Sequence, residues 1–204
     1  MRVLVAYASA HGSTKGIAMA IGARLMKAGL AAEVCAIDAI GPLDSYEAVV
    51  LGSAIHNMAW LPEAAASITR RAAEFATRPV WLFSVSSVGE TSSFYGPRVG
   101  RFMCRMRKES KEMAGFRHAI RPRAHRHFAG CIERSHNNRA GDLFLRAFGG
   151  SYGDHRDWAD IDAWADRIAQ ELLATTEQTR GLSQVPGGGE RKACAPTPTA
   201  RAPS

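Results

Sequence analysis

Short apolar runs alternate with amphipathic stretches along most of this chain. Val3-Leu4-Val5-Ala6-Tyr7 is unbroken and predicts a strand over Arg2–Tyr7 of the kind buried on both faces of a parallel sheet. Ile17, Ala18, Ile21, Leu25 and Ala28 then recur at helical spacing, predicting a helix over Thr14–Lys27 that Gly29 stops. The alternation continues with strands at Ala32–Ile37, Tyr46–Leu51, Val80–Val85 and His127–Ile132. Helices fall between or after them at Leu61–Ala76, Gly96–Ala114 and Trp158–Ala174, with Pro62 in a first turn, where proline is tolerated. This β-α repetition predicts an α/β fold with a five-stranded parallel sheet and helices on both faces.

The chemistry lies in the turns that follow the strands. The first strand runs into Ser9-Ala10-His11-Gly12-Ser13-Thr14 and then into a helix. At such a junction the unpaired N–H groups of the first turn and the positive end of the helix dipole form an anion site. Ser9, Ser13 and Thr14 add hydroxyls, Gly12 permits close backbone approach, and Lys15 is the cation immediately beside the loop. The loop has neither the three-glycine dinucleotide pattern nor the Gly-Lys-Ser/Thr ending of a P-loop. A hydroxyl-rich loop of this kind suits a terminal phosphate monoester, although the same residues can serve only as a helix cap.

Two more strand-end loops carry small residues: Gly52-Ser53-Ala54-Ile55, followed by His56 and Trp60, and Ser86-Ser87-Val88-Gly89. In open α/β sheets ligands bind beyond the carboxyl ends of the strands at a switch in strand order, so the three loops are expected to converge on one crevice. The opening Tyr-Ala-Ser-x-His-Gly-Ser-Thr, the Gly-Ser-Ala-Ile loop with its later Trp-Leu-Pro, and the Ser-Ser-Val-Gly loop resemble the flavodoxin-like family. They look most like its branch of menaquinone-dependent protoporphyrinogen dehydrogenases, over a stretch reaching about Leu173.

The resemblance implies a doubly wound flavodoxin-like sheet that binds FMN. Ser9, His11, Gly12, Ser13 and Thr14 would hold the phosphate, and Gly52, Ser53, Ala54, Ile55, Ser86, Ser87, Val88 and Gly89 would frame the ring. It implies an FMN-dependent oxidoreductase that oxidises protoporphyrinogen IX and passes electrons to a quinone. The alternatives are a flavodoxin-type electron carrier that docks on redox partners, and a non-redox module that has lost the cofactor. An insertion over 136–152, apolar at Leu143, Phe144, Ala147 and Phe148, matches in place a segment thought to help form the active site in that branch, or it is a surface helix.

Composition narrows the setting. The 204 residues are 46% hydrophobic, which suits one globular domain, expected over 1–175, and no apolar stretch approaches the roughly 20 residues of a membrane span. No signal peptide is evident, and Cys35, Cys104, Cys131 and Cys194 lack any paired spacing, so a cytoplasmic location is expected. Cys35 and Cys131 are expected in the core. From Pro186 onward glycine, proline and threonine dominate, so residues 176–204 are expected to form a disordered tail.

Charge is uneven. Between Arg98 and Arg146 thirteen Lys/Arg face four acids, in a chain of net charge +7. This segment suits peripheral contact with the anionic inner face of a membrane, a carboxylated substrate, an acidic protein, or simply a solvated basic face. No nucleic-acid module accompanies it, so no nucleic acid is expected. His118, His125 and His127 lack a metal-like arrangement, and no metal is expected. Trp60 and His56 are read either as flanking the flavin ring or, for Trp60, as an anchor for the next helix. Asp157 reads as an acid at a helix start.

Overall fold

Val3, Leu4, Val5 and Ala6 are shut away from solvent on both sides of strand β1 (Arg2–Ala8), as an unbroken apolar run requires. The structure, a computed structural model, describes residues 1–134, 143 and 145–183. After β1 come α1 (Ser13–Lys27), β2 (Ala31–Ala36), β3 (Ala48–His56), β4 (Ala59–Trp60), α2 (Pro62–Arg70), α3 (Ala72–Ala76) and β5 (Val80–Ser86). They are followed by α4 (Pro97–Met106), α5 (Lys111–Ile120), β6 (Ala124–Ala129), β7 (Cys131–Ile132), β8 (Gly153–Asp154) and α6 (Trp158–Ser183). The parallel strands lie in the order β2-β1-β3-β5-β6, and β4 adds antiparallel to β3. Strand order therefore reverses at β1, which lies between β2 and β3, and a crevice opens there at the carboxyl ends.

The two faces of the sheet are covered differently. On one, Leu4, Leu51 and Leu82 form a core with Ile68 of α2, Phe75 of α3 and Phe116 of α5. On the other, Phe83 and Phe128 meet Trp164 of α6 edge-on at 6.1 and 5.7 Å, and Ile17 and Ile21 of α1 are fully buried. Gly29 ends α1 with φ +88°, its N–H on the Met26 carbonyl and the next N–H on Leu25, a left-handed cap.

Several boundaries differ from the sequence expectation, each for a long-range reason. The helix expected over Leu61–Ala76 breaks at Arg71, whose guanidinium reaches the Ile40 and Gly41 carbonyls at 3.0 and 2.8 Å. The helix expected over Gly96–Ala114 is two: Ser110 caps α5 by accepting from the Met113 N–H at 3.2 Å, which ends the run before it. Strand β6 starts three residues earlier than expected because Ala124 already pairs with Trp81, and Cys131–Ile132 leaves the sheet to pair with Gly153–Asp154.

Among the described residues, those up to Gln170 form one compact unit and those from Glu171 a second. The helix begun at Trp158 runs on to Ser183, past the expected start of the tail at 176, because no proline interrupts it before Pro186. The rest of the expected tail, with Cys194, and residues 136–142 and 144 of the insertion lie outside the described residues. Of the insertion, Leu145 is buried while Leu143 and Phe148 are exposed.

Strand β3 shows the largest departure. It continues through Gly52, Ser53, Ala54 and Ile55 to His56, then turns through Asn57 and Met58, both at positive φ (49° and 66°), as a two-residue hairpin of primed type demands. Gly52 is thus a mid-sheet residue. A Cβ there would stand 1.9 Å from the Phe83 ring, so Gly52 makes room for that ring. Gly52→Ala should cost about 1–3 kcal/mol in chemical denaturation, the usual cost of overpacking, and Phe83→Leu in the same chain should restore part of it. Equal losses in both backgrounds would show that the ring is not the cause.

Candidate functional site

Helix α1 starts without the usual helpers. Its cap residue Gly12 sits at φ 87°, no side chain caps the helix, and the first turn holds no acid. Ser9 Oγ accepts from the Gly12 N–H at 3.0 Å and fixes the turn. The N–H groups behind it retain the capacity to bind an anion. Thr14, in the first turn, is fully buried, and its Oγ1 is one of few buried side-chain polar atoms among the described residues without a hydrogen-bond partner. A buried hydroxyl left unpaired is costly, and a phosphate at this helix end would supply its partner. Ser13 has a different role: its Oγ accepts from the Cys131 N–H at 2.9 Å and donates to the Cys131 carbonyl at 3.2 Å, tying the loop to β7.

These residues border a cavity of about 1050 Å³. Ser9 and His11 line it from the loop after β1, Ser13 and Thr14 from the start of α1, Ala54 and Ile55 from β3, and Ser86, Ser87 and Val88 from the end of β5 and the loop after it. Four of the expected site residues do not. Gly12 supplies the turn and Gly52 yields to Phe83. Ser53 is buried and accepts from the Leu61 N–H at 3.0 Å, anchoring α2. A Cβ on Gly89 would lie 2.5 Å from the Ala129 nitrogen, so Gly89 allows its loop to cross β6 and a larger residue would disturb the fold. Cys131, expected in the core, also lines the cavity, whereas Cys35 is half-buried beside the core.

The cavity runs on between the sheet and helices α4 and α5, where a polar chain lies that the sequence did not reveal. Trp60 Nε1–H donates to Ser84 Oγ at 2.7 Å, and Ser84 lies 2.8 Å from His125 Nε2. The Ser84 hydroxyl has one proton and two lone pairs, so while accepting from the indole it can either donate to His125 or accept from it, according to the tautomer of that ring. The His127 ring lies 4.3 Å from that of His125, and its Nδ1 is buried without a partner. Burial first, then the nearby Arg117 and Arg107, push His125 down to about 4; burial, His125 and the same arginines push His127 down to about 3. Both are neutral near pH 7. The pair lay in view as two histidines two apart on one strand, which share a face.

Trp60 is the anchor of the hairpin: 3% exposed, tilted on Phe116 at 5.8 Å. His56, by contrast, lines the cavity from the exposed turn. Asp157 caps α6 by accepting from the Asp160 N–H at 3.1 Å. Among the described residues no group of three potential metal ligands gathers, and no helix is long and apolar enough to cross a membrane.

Comparison with known proteins places this architecture. Residues 4–138 match the model of the flavodoxin domain. No curated protein matches the sequence. Among solved structures, the rubredoxin oxygen:oxidoreductase of Desulfovibrio gigas superposes with a TM-score of 0.55 at 15% identity, over 85% of this chain and 36% of that one. The chain thus spans about a third of that protein's length. A cysteine-to-serine mutant of flavodoxin from Pseudomonas aeruginosa gives 0.51 at 10% identity, and a flavodoxin from the domain Archaea 0.50 at 16%, each over 85% of this chain and 99% of the other. At these identities the superpositions speak for the fold, and the family match rests on two-thirds of the sequence. This chain belongs to the flavodoxin domain family.

Proposed function

We propose that the protein is an FMN-binding redox protein of the flavodoxin type that exchanges electrons with partner proteins. The observation that supports this reading is the uncapped start of α1 at the strand-order switch, with Thr14 Oγ1 buried and unpaired beside it. First-turn N–H groups, Thr14 and Ser9 fit a phosphate, and Ala54, Ile55, Ser87 and Val88 offer the wall for a flat ring. Bound FMN would supply the redox chemistry, while the chain orients it and limits water. The absorption spectrum of the purified protein, repeated after adding FMN, FAD or riboflavin, tests the reading. FMN should bind with a shifted flavin spectrum and riboflavin far more weakly; no spectral change with any flavin would refute it.

A second reading is an oxidoreductase that takes electrons from protoporphyrinogen IX and passes them to a quinone. It is favoured by a cavity about as large as the upper end of ordinary ligand pockets, more than a docking carrier requires. The basic exposed face of α4, with Arg101 and Arg105, would meet an anionic membrane. Anaerobic bleaching of the bound flavin by protoporphyrinogen IX, followed by reoxidation with a menaquinone analogue, would carry this reading. A flavin that stays oxidised with the porphyrinogen yet exchanges electrons with a reductase would leave the carrier.

A further inference from the structure

The lining of the cavity falls into two groups of different character, an outer and an inner compartment. The outer one lies beyond the carboxyl ends of the strands and is walled by the loops after β1, β3 and β5. The inner one lies at mid-strand depth, since His125 and His127 pair with Leu82 and Ser84 inside the sheet. Its apolar walls include Trp60, Met103 and Met113, and Phe102 and Met106 of α4 stand at 64% and 59% exposure on its outer side.

Its charged lining is one-sided. Arg107, Lys108 and Arg117 face one carboxylate, Glu109, which pairs with Arg117 at 2.6 Å. Arg107 Nη2 donates to the Val88 carbonyl in the loop after β5. The histidines add no charge, because burial and these guanidinium groups hold them neutral. A positive potential that opposes a proton on the imidazoles also opposes any cationic ligand and favours an anion. Among the described residues, two of the few buried side-chain polar atoms without a partner belong to lining residues, Thr14 in the outer compartment and His127 in the inner one. The compartment thus combines apolar walls, imidazoles and two guanidinium groups.

We infer that the inner compartment is a binding site, separate from the place of the flavin, for an organic anion with an apolar, ring-bearing body. Arg107 and Arg117 hold the anionic group, Met103, Met113 and Trp60 receive the body, and His125 and His127 offer hydrogen bonds. The assignment rests on the flavin reading for the outer compartment, because it is that crevice into which the inner one opens.

Titration calorimetry of the full chain tests it, with and without saturating FMN, using 2-naphthoate and its neutral counterpart 2-naphthamide. Naphthoate should bind with FMN present and more tightly than the amide by about tenfold or more, the scale of a hydrogen bond to a charged group. The preference should shrink in Arg117→Gln, an exposed residue whose change the fold tolerates, and vanish in Arg107→Gln/Arg117→Gln. It should survive in Arg70→Gln/Arg167→Gln, which removes the same charge elsewhere. Equal affinity for acid and amide, an unchanged preference in the cavity double variant, or competition between naphthoate and FMN overturns the assignment. If FMN fails to bind while naphthoate keeps an arginine-dependent preference, the flavin reading falls, and with it the claim of a site separate from the flavin, while the anion site at Arg107 and Arg117 stands.

Discussion

Lowering the pH from 7 to 4 will destabilise the protein by several kcal/mol, and the loss will begin near pH 6.5. His125 and His127 are pushed down to about 4 and about 3 in the fold, against 6.5 for an ordinary histidine. Above pH 6.5 both are neutral in folded and unfolded chains alike, and their contribution to stability is fully present. Below it the unfolded chain takes up protons that the folded chain refuses, so stability falls at about 1.4 kcal/mol per pH unit for each such group. The fall continues until the folded-state values are reached, near pH 4 for one ring and 3 for the other. Carboxylates held down by arginine partners, such as Asp154 beside Arg156 and Asp166 beside Arg24, titrate only below the usual carboxylate range and cannot produce a loss that starts at 6.5. Urea denaturation between pH 7.5 and 4.5 measures the slope. A chain with His125→Gln and His127→Gln should be nearly flat from 7 to 5; an equal slope in both proteins would mean that the two imidazoles are not the buried neutral groups described.

Replacing Thr14 by Val will separate FMN from riboflavin. The two side chains have nearly the same shape, so the change removes one hydroxyl from a position with no solvent exposure. In the protein without flavin that hydroxyl has no partner, and its loss should leave stability unchanged or raise it. In the FMN reading the hydroxyl would donate to a phosphate oxygen, and its loss should weaken FMN by about 1.5–3 kcal/mol, the range for a hydrogen bond to a charged group. Riboflavin lacks the phosphate and should bind as before. Fluorescence titration with both flavins, together with a melting curve of the flavin-free chain, checks all three expectations. Equal weakening of both ligands would place the phosphate elsewhere.

What could be read from the chain was whatever depends on neighbours in sequence. The apolar run Val3–Tyr7, the turn at Gly12, the 3.6-residue spacing of Ile17, Ile21 and Leu25 and the stop at Gly29 are local patterns, and each stands where periodicity and turn chemistry put it. Strands separated by helices dictate a parallel sheet, and a strand delivering a glycine turn to a helix start leaves first-turn N–H groups open at its end.

The tertiary structure decided what depends on partners far along the chain. Gly52 and Ser53 look like loop residues until Phe83 and Leu61 arrive beside them and make them part of the sheet. Ser13 looks like a phosphate ligand until Cys131, 118 residues away, occupies its hydroxyl. The inner compartment required Ser84 and His125, 41 residues apart, to meet diagonally across adjacent strands, where Ser84 stands opposite His127, with Arg107 and Arg117 brought near by a break between two helices. Local sequence sets the conformations a segment can adopt, whereas burial, hydrogen-bond satisfaction and electrostatic potential are set by atoms that chain closure brings together, and the character of a cavity belongs to the second kind.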